Sequence, residues 1–387
     1  MQNSQIIGKD QNCKKSILTV NNLRCVFNEK EENEIVAIDN FSYEFESNKI
    51  HFIIGNSGSG KSTLVSHFNG LIKSKVGNIT VDNFEIKEGK KKIKKPKILR
   101  RIVSMVFQFP EYQLFKSTVE KDVSFGPNAL GLPKEKSVKF NLESLKKEVN
   151  QDFDFIESKF RKKLKNKFID LNKDDFFDLV VKKYKIAVKK NIAKVIFEYK
   201  RKSFTKKYNL ETKTPDDIAH EDAVFYLNKM GIDESFLDRS PFGLSGGQKR
   251  RVAIAGILAI EPKILIFDEP TAGLDPQGEQ EMLEVILDAK KSGKTVFVIT
   301  HTMDHVLEIG DNVVVMDQGK ILMDGNPYDV FTNKDLYLKT KMEKPKIIDI
   351  IDSLVEKKKI FNHLYDMKPK TAEELAEAIG KILNERR

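Results

Sequence analysis

Ile50-His-Phe-Ile-Ile-Gly55-Asn-Ser-Gly-Ser-Gly-Lys61-Ser62 is the stretch on which the reading of this chain turns. The mostly apolar run Ile50 to Ile54 feeds a glycine-rich loop that matches G-x-x-x-x-G-K-[ST], and a helix is expected from Ser62 onwards. Strand, loop and helix in that order make a phosphate cradle. Gly58 and Gly60 let backbone N–H groups turn inward around anionic oxygens, and the helix N-terminus adds its partial positive charge. Lys61 is placed to reach the β and γ phosphates of a nucleotide, and Ser62 to give a hydroxyl to Mg²⁺, which takes oxygen ligands. An accidental glycine-rich turn has no reason to match both the full pattern and its two flanks.

Outward from this loop, short apolar runs recur at Ile17–Val20, Phe41–Phe45, Val103–Phe107, Ile264–Phe267, Thr295–Ile299 and Val313–Met316. Helical patterns separate the later ones, and that alternation predicts a parallel α/β sheet. Lys87–Lys97 is a lysine-rich solvated connector. Between Leu132 and Met230 there is no glycine, although both flanks are punctuated by it. There Phe153, Ile156, Phe160, Leu164 and Phe168 recur at helical spacing, as do Val181, Tyr184, Val188, Ile192, Val195 and Tyr199. Two amphipathic helices packed as a hairpin are expected, with Pro215 ending the excursion. The tail after Phe331 reads as helical again, Thr371 and Glu374 forming a capping-box pattern.

At 387 residues and 40% hydrophobic content the chain can bury a large core, as one big domain with appendages or as two domains. Its longest apolar stretches, such as Val252–Ile260, fall far short of the roughly 20 residues a membrane-spanning helix needs. Met1–Ser16 lacks the apolar segment of a secretory signal, so a cytosolic location is expected. Cys13 and Cys25 form no C-x-x-C pair, which argues against a disulfide framework or a thiolate zinc site. His301 and His305 have helical metal-ligand spacing but no H-E-x-x-H arrangement and no third ligand. The net charge of +10 is local: Lys139–Asp216 carries 22 Lys and Arg against 12 Asp and Glu, while the rest balances at 45 against 45. A solvated helical hairpin is the plain reading of that segment; a surface for anionic lipid or nucleic acid is the other.

Two further motifs carry chemistry. Ile264-Leu-Ile-Phe-Asp268-Glu269 is an apolar strand that delivers two carboxylates at its C-terminal end, where α/β proteins bind ligands. Asp268 suits Mg²⁺, and Glu269 suits a general base or water-polarising role. Alone, such a strand end is more often merely solvated; its weight comes from Leu244-Ser245-Gly246-Gly247-Gln248, which ends 20 residues before Asp268. Two glycines opening a helix make a second anion site.

With these residues on the page, the chain resembles the ABC ATPases. That resemblance implies a P-loop NTPase of ABC type: a RecA-like parallel sheet core, an N-terminal antiparallel β subdomain, and a helical subdomain carrying a helical insertion. The expected boundaries are 15–331 for the ATPase domain, 137–216 for the lysine-rich insertion within it, and 332–387 for the helical tail. Leu244–Gln248 looks like the signature sequence, which in this family closes over the nucleotide held by a partner's P-loop. Gln108 resembles the Q-loop glutamine and Gly273-Leu274-Asp275 the D-loop, with Asp275 its acidic residue. His301 resembles the switch histidine at the γ phosphate. The implied ATP-binding residues are Gly55, Asn56, Ser57, Gly58, Ser59, Gly60, Lys61, Ser62 and Thr63, with Phe27 at the position of the adenine-stacking aromatic and Cys25 as the competing alignment. Glu269, His301 and Gln108 are the implied catalytic residues; Ser62, Gln108 and Asp268 are the implied Mg²⁺ ligands.

Phe107-Gln-Phe-Pro-Glu-Tyr-Gln-Leu-Phe115, Thr118-Val119, Asp122-Val-Ser-Phe-Gly-Pro127 and Phe236-Leu-Asp-Arg-Ser-Pro-Phe242 look like the ATPase subunits of energy-coupling factor (ECF) importers, most of all the second of their two paralogues. That implies a heterodimer with the other ATPase paralogue, docked near Gln113 and Leu114 on a transmembrane coupling subunit. This in turn meets a small membrane protein that binds a vitamin or metal ion. Peripheral association with the cytoplasmic face of the cell membrane follows, and nucleic acid is not an expected partner. The alternative class is a soluble ABC ATPase acting on nucleic acid. A third is a regulatory module that binds ATP without turning it over, against which the presence of Glu269 and His301 argues.

Overall fold

The structure, a computed structural model, describes residues 16–29, 32–73, 75–89, 93, 95–137 and 213–384. The helical spacing expected over 153–168 and 181–199, and Cys13, lie outside them. Two compact units are present, one formed by residues up to Phe115 together with those from Pro241 onward, the other by Lys116–Ser240.

The first unit holds two sheets. β1 (Ser16–Phe27), β2 (Ile35–Glu46), β4 (Val76–Val81) and β5 (Phe84–Ile86) form an antiparallel sheet in the order β2-β1-β4-β5. β3 (Ile50–Gly55), β6 (Val103–Val106), β7 (Ile264–Asp268), β8 (Thr295–Ile299), β9 (Asn312–Asp317) and β10 (Lys320–Gly325) form the other, ordered β10-β9-β3-β8-β7-β6. All pairings from β9 to β6 are parallel; only β10 runs antiparallel, to β9. β3, β6 and β8 are buried at every position, which is why they read as mostly apolar runs rather than as alternation.

β1 is longer than the expected Ile17–Val20. Its register against β2 shifts between Val20 and Leu23, where Asn21 and Asn22 are both exposed and Asn22 takes a φ of 49°. A bulge of this kind breaks the period-2 pattern, so inward-facing Leu23 and Cys25 fall out of phase with Leu18 and Val20. The helix α1 (Lys61–Phe68) is wedged between the sheets, and one hydrophobic core joins all three. At its centre Phe45 meets Phe68 and Phe297 edge-on at centroid distances of 5.8 and 4.9 Å, and His51 stacks on Phe297 at 5.3 Å. His51 Nε2 donates to Glu46 O (2.8 Å) and Nδ1 accepts from Asn312 (3.4 Å), while burial holds its pKa below the ordinary histidine value.

Around the parallel sheet lie α2 (Pro96–Ile102), α6 (Gly246–Leu258), α7 (Pro276–Lys291) and α8 (Met303–Ile309). The tail adds α9 (Pro327–Phe331), α10 (Lys334–Lys339), α11 (Lys346–Lys357), α12 (His363–Met367) and α13 (Ala372–Asn384). Asp352 on α11 anchors this tail: Tyr365 donates to one carboxylate oxygen and Lys344 Nζ to the other (2.5 Å), while Lys368 pairs with Asp329 on α9 (2.6 Å). Thr371 Oγ1 accepts from Glu374 N (3.2 Å) as the capping pattern predicts, but the Glu374 carboxylate takes Lys370 N (2.7 Å) instead of closing on Thr371 itself.

The second unit contains α3 (Val119–Val123), α4 (Phe125–Leu130) and α5 (Pro215–Lys229). Thr214 and Asp217 close a capping box on α5, with Pro215 at its first position. Ser137 Oγ donates to Lys213 O (2.6 Å), which brings the two ends of the 138–212 segment side by side.

Candidate functional site

Four of the implied motifs leave the carboxyl ends of four neighbouring parallel strands. The phosphate loop follows β3, His301 follows β8, Asp268 and Glu269 end β7, and Gln108 lies two residues past β6. Register aligns them: Ile53 pairs Ile299, Asp268 pairs Ile299, and Val106 pairs Phe267. Ligands of open parallel sheets bind at this edge.

The loop is held by its glycines and by the strand beyond it. Gly55 takes a φ of +146° and a Cβ there would fall 2.1 Å from Met316 O; at Gly60, with φ +100°, it would fall 2.2 Å from Ala37 O. Neither position tolerates a side chain. Ser59 O accepts from Gly319 N (3.1 Å), so the β9–β10 turn braces the loop from outside. Met316, Ala37 and Gly319 carry no motif, and sequence reading did not single them out. Lys61 is only 7% exposed, and its Nζ donates to Gly55 O (2.8 Å) and Asn56 O (2.9 Å). The ammonium is thereby held inside the loop.

Across from it, the Ser62 hydroxyl acts on the Asp268 carboxyl and holds its pKa down. Glu269 N donates to Ile299 O (2.9 Å), and Glu269 adopts a left-handed φ of 50°, a conformation that non-glycine residues keep only where their surroundings impose it. His301 Nε2 lies 3.2 Å from Glu269 Oε1. Burial pushes the Asp268 carboxyl above its ordinary pKa, opposed by the Ser62 hydroxyl and by Lys61. Burial likewise raises Glu269; His301 opposes the shift and the Asp268 charge adds to it. The Lys61 ammonium is lowered by burial, with Glu269 and Asp268 pulling the other way.

Two carboxylates therefore share one ammonium in a desolvated cluster. The Ser62 hydroxyl and the Asp268 carboxylate are oxygen donors of the kind that a hard divalent cation such as Mg²⁺ takes. Gln108 is exposed, and its place past β6 matches that of Glu269 past β7.

The signature segment begins α6. Ser245 caps it: Ser245 Oγ accepts from Gln248 N (3.3 Å) and Gln248 Oε1 accepts from Ser245 N (3.0 Å), a capping box that fixes the helix start. A Cβ at Gly246 or Gly247 would meet nothing within 4 Å, and both are exposed. Asp275 caps α7 through Gly278 N (2.8 Å). Of the two adenine-stacking positions, Cys25 is 8% exposed and belongs to the core, its thiol pushed up by burial, whereas Phe27 is 40% exposed at the end of β1. Only Phe27 presents a surface on which a base can stack. Near the expected docking region Leu114 is buried, while Phe109, Tyr112 and Gln113 are exposed.

A strand, glycine loop and helix holding Lys61, with Asp268 and Glu269 at the end of a strand one place removed in the same sheet, define a P-loop nucleoside triphosphatase. The family model described as ABC transporter matches residues 38–272. An energy-coupling factor transporter ATP-binding protein, EcfA2, of Mycoplasmoides gallisepticum is 43% identical over 95% of this chain and 92% of its own length. The protein of the same name in Mycoplasma pneumoniae is also 43% identical, over 95% of this chain and 94% of its own. Among solved structures, cbiO1 from Clostridium perfringens, part of the ABC transporter complex cbiONQ, aligns with a TM-score of 0.54 at 29% identity, covering 87% of this chain and 99% of that one. The chain belongs to the ABC transporter family, among the ATP-binding proteins of energy-coupling factor transporters.

Proposed function

We propose that this chain is the ATP-binding and hydrolysing subunit of an ECF-type importer, coupling hydrolysis to uptake of a vitamin or metal-ion micronutrient. The observation that carries it is the convergence of the Lys61 loop, Asp268, Glu269 and His301 at one edge of the parallel sheet. The loop amides and the N-terminus of α1 receive the phosphates, and Lys61 shifts its hydrogen bonds from the Gly55 and Asn56 carbonyls to the β and γ oxygens. Phe27 stacks on the base. Ser62 and Asp268 hold Mg²⁺, with Gln108 the third candidate ligand; when bound, the ion neutralises charge that develops on the phosphoryl oxygens. Glu269 accepts the proton of the attacking water as its oxygen bonds to the γ phosphorus. The bond from that phosphorus to the bridging oxygen breaks, releasing ADP and phosphate. His301, in contact with Glu269, orients that carboxylate and meets the γ phosphate.

Closure needs a second half-site. Gly246 and Gly247 have neither positive φ nor, among the described residues, a neighbour to avoid, so no described residue asks for glycine there. An external surface that approaches the backbone closely does, and the reading assigns this to the nucleotide of a partner ATPase in a heterodimer. Exposed Phe109, Tyr112 and Gln113 then form the face toward a transmembrane coupling subunit, which meets the small substrate-binding membrane protein. No described helix is long and apolar enough to cross a membrane; the coupling subunit spans it, and this chain docks on that subunit peripherally, from the cytoplasmic face.

Two measurements bear on this. Purified from detergent-solubilised membranes, the chain is expected to bring with it a second ATPase and a multi-spanning membrane protein; nucleic-acid machinery in their place would overturn the importer. Because Ser137 and Lys213 are already bridged, replacing residues 138–212 by a short glycine-rich linker is expected to leave the affinity for fluorescent ATP analogues within about twofold. The cut stops at 212 because one through Asp216 would also remove the Thr214 cap of α5. A folded deletion protein that no longer binds nucleotide would place the segment in the site.

A further inference from the structure

Arg250 lies in α6 five residues beyond Ser245, and only 6% of it is exposed. Its guanidinium donates to three backbone carbonyls contributed by two separate segments. Nη2 donates to Pro270 O and to Gln108 O (3.5 Å), and Nη1 to Ala272 O (3.3 Å). Pro270 follows Glu269 directly, Ala272 leads into the Asp275 turn, and the Gln108 carbonyl belongs to the Q-loop residue itself. α6 also packs against β6 and the 3₁₀ turn Pro110–Gln113 that continues this loop. Within that turn Glu111 has one carboxylate oxygen, Oε2, buried without a partner, and Arg250 Nε is buried without one too. Glu111 is the charge that acts on Arg250 against the effect of its burial.

A planar fork of five donors can satisfy several carbonyls at fixed angles, whereas the single ammonium of lysine cannot reproduce that fork. We propose that Arg250 is a positioning residue for hydrolysis. Its one side chain, rooted in the helix that Ser245 starts, fixes the Gln108 turn against the segment Glu269–Ala272. The three motifs then move as one piece, so the register between the water-polarising carboxylate and the Q-loop survives movement of the signature helix. The inference rests on the roles given above to Glu269 and Gln108.

The test compares the wild-type chain with Arg250→Met, Arg250→Lys and Glu269→Gln, each as the full chain in its membrane-purified assembly. Steady-state ATPase, trinitrophenyl-ATP affinity and amide hydrogen exchange are measured. Arg250→Met is expected to lose about 10- to 100-fold in kcat, with KM and analogue affinity within about twofold, because it touches no substrate. Arg250→Lys is expected to restore part of the rate. Amides in 107–113 and 269–275 should exchange faster in the Met variant while 55–63 remain as in wild type, a pattern that general destabilisation does not produce. Wild-type kcat in Arg250→Met, a loss confined to KM, or unchanged exchange in either segment would overturn the proposal. Should the Met variant not fold, full kcat in a folded Arg250→Lys protein overturns it equally. An inert wild-type chain, or full activity in Glu269→Gln, would instead overturn the catalytic reading, and the exchange pattern would still decide the role of Arg250.

Discussion

Glu269→Gln is expected to bind ATP as the wild-type chain does while kcat falls by about 10²- to 10⁴-fold, the range over which a positioned general base acts. The substitution keeps the volume and one carbonyl oxygen, so the contact with His301, 3.2 Å away, can persist as a hydrogen bond while the proton acceptor is lost. Ground-state affinity should not move, because Lys61 and the loop amides carry the phosphates. A fall in kcat with unchanged KM identifies an interaction made in the transition state. The pH profile adds a second reading. Burial raises the Glu269 carboxyl and the Asp268 charge raises it further, so protonation disables the base at a pH above the ordinary glutamate value of about 4.3. Wild-type kcat should therefore drop on the acid side within a range where free carboxylates are still ionised, and Glu269→Gln should lack that limb. Unchanged hydrolysis by the Gln variant would remove Glu269 from its role.

Lys61→Met is expected to lose nucleotide affinity itself. Removing one partner of a buried, hydrogen-bonded charge pair costs about 2–5 kcal/mol, which is roughly a 30- to 4,000-fold rise in Kd. The ammonium is already desolvated and held by the Gly55 and Asn56 carbonyls, so little reorganisation is needed when phosphate arrives. Methionine leaves both carbonyls without their donor. A melting curve is therefore recorded beside the titration with a fluorescent ATP analogue. Retention of Kd within a factor of three in a folded protein would show that the loop binds phosphate by its backbone alone.

Both expectations rest on residues that were legible from sequence, and the reason is physical. Strands buried on both faces are mostly apolar, so β3, β6, β7 and β8 stood out, and the motifs lie at or just beyond their ends. Where alternation was interrupted the reading faltered. The bulge at Asn21–Asn22 hid the second half of β1, and Gly77 and Asn78 disguised β4, although Gly77, Ile79 and Val81 do alternate inward. Phe27 and Cys25 could not be separated by alignment, yet burial separates them at once. Arg250 was invisible as a joint because its partners are carbonyl oxygens, which every residue owns, contributed from about 20 and 140 positions away. Capping was half legible: Thr371 and Glu374 were found, but not that Glu374 would reach back to Lys370.

The pairing of Ser137 with Lys213 also bears on how such a chain can change over generations. Where a loop leaves and re-enters a fold at one point, each doubling of its length costs only about 0.6 kcal/mol of closure entropy. Closure at these two positions therefore constrains the number of residues between them only weakly. The whole of the net positive charge lies between them, at a point where length and charge can vary at little cost to closure.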